Sequence, residues 1–163
     1  MSLFIFSLSH FLHLLATVVW IGGIVMILLV ILPGAKTALE SAPMVSKLMK
    51  QITKRFTPMA NISILVLVAT GIVIASHKEN FSGLTDFNSP WNVVMLLKHF
   101  LVALMIIIHF YRGLILNPKI GRLSSQSNDS QVARLQIFSL DLVKTNLVLG
   151  MIVLLLTGIS SSL

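Results

Sequence analysis

Three imidazoles at one depth inside apolar sequence have the widest chemical reach in this chain. His10 and His13 stand three residues apart on a stretch, Leu3 to Leu32, that holds no Asp, Glu, Lys or Arg. Lys98 and His99 lie inside a second apolar stretch, with His109 eleven residues after Lys98, and His77 ends another. Ionisable groups surrounded by apolar sequence are costly, so they are functional candidates by default. Neutral imidazole ligates both haem iron and copper. A b-type haem needs two axial imidazoles from different helices and a slot lined by small residues. His13 opposite His99 would supply the pair, and Gly22, Gly23 and Gly71 the slot. Lys98 would pair with a propionate or ligate, and His10 and His77 would be supporting or alternate ligands. Copper takes His and Met. His10-x-x-His13 could begin such a site, but the eight Met, among them Met26, Met95, Met105 and Met151, form no MxxM or HxxM cluster.

Other polar residues have plainer readings. Asn61, Ser63 and Thr70 suit hydrogen bonding between helices. Asp141 and Lys144, three residues apart, suit a paired anchor at an interface. His109 fits either an Asp141 partner or a ligand.

The elements that must position these groups follow from composition. The chain has 163 residues, 56% hydrophobic and 10% charged, with a mean hydropathy of +0.96. A soluble domain carries about a quarter charged residues, and one small domain cannot hide this much apolar sequence. There is no Cys, which excludes disulfides, thiolate zinc, iron–sulfur clusters and covalently attached haem. A membrane-crossing helix needs about 20 apolar residues, and four segments qualify: 3–32, 59–76, 91–116 and 135–159. They are too long and too continuous for barrel strands. The expected fold is therefore all-α, one integral membrane four-helix bundle. The first span lacks a basic leader and a small-residue cleavage signal, so it is expected to remain in the mature protein.

Charge then gives topology. Nine of the twelve basic residues fall in two connections: Lys36, Lys47, Lys50, Lys54 and Arg55 in the first, Arg112, Lys119, Arg122 and Arg134 around the third. The positive-inside rule makes that side cytoplasmic and puts both termini outside. The net charge of +7 thus becomes an address, and a nucleic-acid role is unnecessary. Residues 42–57 repeat apolar positions at helical spacing opposite lysines, which predicts an amphipathic cytoplasmic helix on an anionic leaflet that leads into the second span. His10 and His13 would lie roughly 10 to 15 Å, and Lys98 and His99 roughly 10 to 12 Å, below the outer surface. His13 and Trp20 share a face.

A faint internal repeat relates the two halves. His13, Pro33 and Thr70-Gly71 correspond to His99, Pro118 and Thr157-Gly158, at offsets of 86, 85 and 87 residues. Two pseudo-repeated helical hairpins are the architecture this implies.

These same residues resemble the copper-resistance CopD superfamily of membrane proteins. The resemblance rests on His13 to Pro33, on Lys54-Arg55-Phe56-Thr57 leading to Thr70-Gly71, and on Leu97-Lys98. It continues through Asn117-Pro118 with Arg122-Leu123, and Ala133-Arg134-Leu135 leading to Leu147-Val148-Leu149-Gly150. The chain is also similar to HemJ-type protoporphyrinogen oxidases, where a His precedes a Trp by seven, as His13 precedes Trp20. There a Lys precedes a His by eleven, as Lys98 precedes His109, followed by a Tyr and a Gly as at Tyr111 and Gly113. That resemblance implies haem b, with His13 and Lys98 in functional positions and Lys98 catalytic. Two features depart from it. The Asn-Glu-Pro run of HemJ is missing, and Asn146 stands where CopD-like proteins often carry an acid four residues before the last glycine.

The leading expectation is a haem b membrane protein, a cytochrome b-like oxidoreductase. It would transfer electrons or oxidise a membrane-soluble partner, a quinone or porphyrinogen, with His13, His99, His10, His77, His109, Trp20 and Gly23 around the cofactor. The alternatives are a copper-binding or copper-transporting CopD-like protein and a structural subunit of a larger membrane complex. Its setting would be a bacterial or archaeal cytoplasmic membrane, and small-residue faces leave room for a homodimer.

Overall fold

The computed structural model describes residues 3–76, 90–125 and 129–162, and all of its regular structure is helical. Four helical runs are long and apolar enough to cross a membrane: Leu3–Ala38, Ala42–Ala75, Trp91–Ser124 and Asp129–Ser161. Continuous helix is what lipid demands, since each backbone N–H and C=O must find its partner inside the segment. The chain divides into two compact units, Met1–Ser82 and Gly83–Leu163.

In the first unit, α1 (Leu3–Thr17) runs through a π-helical turn at Val18–Gly22, α2 (Gly23–Val25) and a second π-helical turn at Met26–Ile31 into α3 (Leu32–Ala38). Pro33 follows this second turn inside the continuous run Leu3–Ala38, where its missing N–H leaves a carbonyl of the preceding turn without that donor. Leu39 and Ser41 are extended and turn the chain. Pro43 then begins α4 (Ala42–Ala75), which is unbroken through Pro58. The lysine-rich segment 42–57 is the first half of the same helix that carries the second span, the lead-in its pattern predicts. Two contacts fix the register of the antiparallel pair. His13 meets Thr70, and the Phe56 ring fills the space a side chain would take at Gly23. Between those contacts lie Trp20, 1% exposed, and Ala60, fully buried.

The second unit follows the same order. Here α5 (Pro90–Tyr111) passes through a π-helical turn at Arg112–Leu116 into α6 (Asn117–Ser124), and α7 (Asp129–Ser162) returns antiparallel. Asn146 bonds the Met105 carbonyl and Arg112 bonds Ser139, so the pairing is in strict antiparallel register. Along α7, Val132, Ser139, Asn146, Val153 and Ser160 are buried at intervals of seven residues. A heptad seam of this kind is how paired helices stay in contact.

Polarity is inverted relative to a water-soluble protein. The buried stripes hold Ser9, Ser63, Thr70, Ser139, Asn146 and Ser160, while Leu14, Leu65, Ile72, Phe100, Ile107, Leu114, Val148 and Leu155 face outward. Apolar side chains gain nothing by hiding from lipid tails, so helices meet through small and hydrogen-bonding residues. The molecule is an integral membrane protein.

Candidate functional site

The best-organised polar centre among the described residues is built on His13. Its Nδ1 lies 2.8 Å from Thr70 Oγ1, across the α1–α4 interface. The Thr70 hydroxyl lies 2.6 Å from the Val66 carbonyl. A carbonyl can only accept, so the single hydroxyl proton goes to Val66 and His13 Nδ1–H donates to Thr70. That fixes the tautomer and makes Nε2 the lone-pair nitrogen of the ring. A hydrogen bond on the far nitrogen is how proteins orient and strengthen an imidazole ligand. Gly71 completes the seat, since a Cβ there would stand 3.6 Å from His13 Cε1.

His10 lies one turn before His13 on α1. Its Nδ1 donates to the Phe6 carbonyl at 3.1 Å, and its ring stands edge-on to Phe6 at 4.4 Å between centroids. Its Nε2 is therefore also the lone-pair nitrogen. Residues three apart on a helix are neighbours, with Cβ atoms about 5–6 Å apart. Two imidazoles with their Nδ1 atoms hydrogen-bonded thus occupy adjacent turns of one half-buried helix face.

The remaining candidates are placed differently. His99 is exposed on α5 and donates Nδ1–H to its own helix, to the Met95 carbonyl at 2.6 Å. Lys98 and His109 are half-buried in the second unit, and the His109 ring stands edge-on to Phe110. Trp20 is buried in the first unit seven residues after His13. His77 lies outside the described residues. Of the three glycines expected to line a cofactor slot, Gly23 is covered by Phe56 and Gly71 by His13, while a Cβ at Gly22 would meet nothing within 4 Å. Asp141 binds Lys144 at 2.9 Å with both side chains exposed, the paired anchor that their spacing predicts. Among the described residues no three His, Cys, Asp or Glu side chains gather round one point.

Two partnerships were not legible in the sequence. Thr70 makes the interhelical hydrogen bond that its type predicts, and the partner, His13, is what the sequence did not name. Arg112 read as a topology charge, yet its Nε donates to Ser139 Oγ at 3.1 Å. The offset of 57 residues between His13 and Thr70 carries no motif. The repeated Thr-Gly pair was the available signal.

Residues 50–160, about two thirds of the chain, match the sequence profile of the family described as Copper resistance protein D. The chain belongs to the CopD family. The CopD match takes in Thr70, Gly71, Lys98, His99, Arg112 and Asn146, and begins after the helix that carries His10 and His13. No curated protein and no solved structure matches this CopD chain.

Proposed function

We propose that this CopD-family membrane protein handles copper as cargo, taking it up at His10 and His13 from the side opposite the basic connections. The observation that carries the reading is the His13–Thr70 hydrogen bond, which holds an imidazole in the ligating tautomer at the interface of two spans. The family match to a copper-resistance protein supports the choice of metal. Copper is bound well by imidazole, and two imidazoles on adjacent turns can hold an ion at low coordination. Incomplete coordination suits cargo, because a transported ion must bind well enough to enter and weakly enough to leave. By the positive-inside rule this end of the first unit faces outward.

Haem b on His13 and His99 has less behind it. His99 stands on an exposed face of α5, and one slot glycine, Gly23, is filled by the Phe56 ring. The oxidation of a quinone or porphyrinogen at Lys98 depends on that haem and ranks below copper handling for the same reason.

The test is purification in mild detergent, followed by metal analysis and visible spectra of the oxidised and reduced protein. The expected result is a colourless reduced protein that binds copper and loses it in His13→Ala. A sharp reduced α-band that disappears in His13→Ala would replace the copper reading with the haem one.

A further inference from the structure

The geometry points to a second, independent site in the second unit: Arg112, held by Ser139, binds the phosphate of an anionic membrane lipid. Arg112 begins the π-helical turn Arg112–Leu116, an irregularity that recurs at functional positions. Its guanidinium is half-buried, and its Nε is given to Ser139 Oγ, a buried hydroxyl on α7. Ser139 is neutral, so this bond orients the cation without cancelling its charge. No carboxylate pairs with Arg112 among the described residues, where the one ion pair is Lys144 with Asp141. Among the described residues the hydrogen bond of Arg112 is the one through Nε to Ser139, and the planar fork of a guanidinium matches two oxygens of a phosphate.

Depth identifies the source of that phosphate. The helical runs of the second unit have 34 and 33 residues, roughly 50 Å at about 1.5 Å per residue, against a hydrocarbon core of about 30 Å. The excess of roughly 20 Å falls at the hairpin end, where Lys119, Arg122 and Arg134 are exposed. Arg112 lies 13 residues before Ser125, and Ser139 lies 10 residues after Asp129. Both therefore stand roughly 15–20 Å from the hairpin tip, at the level of the lipid headgroups. Tyr111, 41% exposed, suits the same interfacial level. The surrounding charge favours an anionic headgroup over a zwitterionic one, since the two described acids on this overhang are Asp129 and Asp141, the second paired with Lys144, against exposed Lys119, Arg122 and Arg134. The first unit has no counterpart, because an offset of 86 residues places Met26 where Arg112 stands.

Native mass spectrometry of the whole protein in mild detergent, with phosphatidylglycerol or phosphatidylcholine added, tests this. Wild type is expected to retain phosphatidylglycerol preferentially. Arg112→Gln should lose about tenfold of that retention, and Arg112→Lys and Ser139→Ala several-fold each, because charge alone does not reproduce the oriented fork. Arg55→Gln, an exposed cation of the first unit, should change it less than about twofold. Should Arg112→Gln fail to fold, the Lys and Ser139 variants decide. Equal retention of the two lipids, retention unchanged in Arg112→Lys and Ser139→Ala, or displacement by millimolar inorganic phosphate would each overturn the proposal.

Discussion

The two units share one plan and differ in where they place polarity. Each runs from a span through a π-helical turn to a proline at the start of a short helix, then returns as a helix of 34 residues. In the first unit the polar centre is the imidazole of His13 on Thr70 and Gly71, far from the hairpin tip. The second unit repeats the Thr-Gly pair without the contact: the Thr157 hydroxyl bonds the Val153 carbonyl of its own helix, and a Cβ at Gly158 would meet nothing within 4 Å. Its polar centres are instead Arg112 on Ser139 near the tip and Asn146 on Met105 at mid-helix. A common backbone order therefore does not enforce a common site. What distinguishes the first Thr-Gly pair is an imidazole arriving from the facing helix, which only the first unit supplies among the described residues.

Substitution in matched pairs is the way to break this contrast. The largest effect is expected for copper affinity. His13→Ala should weaken it by more than about 100-fold, since ligand loss exceeds the loss of a supporting hydrogen bond. His99→Ala should stay within about twofold, as read by competitive titration against a chromophoric copper(I) chelator. Equal losses in both would erase the asymmetry. Stability comes next. Gly23→Leu drives a side chain into the Phe56 ring and should destabilise by about 1–3 kcal/mol. Gly113→Leu enters open space and should stay within about 0.5 kcal/mol. Thermal unfolding of the two variants in one detergent checks both.

Thr70→Val keeps the shape of the seat and removes the hydroxyl. It should weaken copper binding about tenfold, while Thr157→Val leaves it unchanged. The same titration reads both, and a matched fall would mean that the Thr-Gly pairs act through helix packing alone. The smallest effect concerns Asn146, 4% exposed, whose Nδ2 donates to the Met105 carbonyl at 3.2 Å. Its Oδ1 has no hydrogen-bond partner among the described residues. Asn146→Leu therefore trades one interhelical bond against relief of an unsatisfied oxygen, and should cost no more than about 0.6 kcal/mol in unfolding measurements. A much larger cost would reveal a partner for Oδ1 in the working protein.

The span count was legible because lipid leaves so few backbone solutions: length, apolar runs and missing charges sufficed. Chain order also carried the parallel between the halves, through Pro33 with Pro118 and Thr70 with Thr157. Span boundaries were less legible. Lys47, Lys50 and Lys54 marked where hydrocarbon must end, but a polar face does not stop a helix, so α4 continues through them to Ala42. The site was legible to residue type and not to pairing. Among His10, His13 and His99 the sequence put His13 first but gave no partner for it. What separates them is that Nδ1 of His13 reaches across to another helix while those of His10 and His99 turn back on their own. No spacing rule reports that choice, which depends on how α1 meets α4.

X-ray absorption at the copper edge of the loaded protein, recorded for wild type, Thr70→Val, His13→Ala and His99→Ala, reads whether His13 holds the metal. The expected spectrum is a low-coordinate shell of nitrogen with imidazole scattering, loosened in Thr70→Val and absent in His13→Ala. A sulfur-dominated shell, or an imidazole signal that survives in His13→Ala and vanishes in His99→Ala, would contradict it.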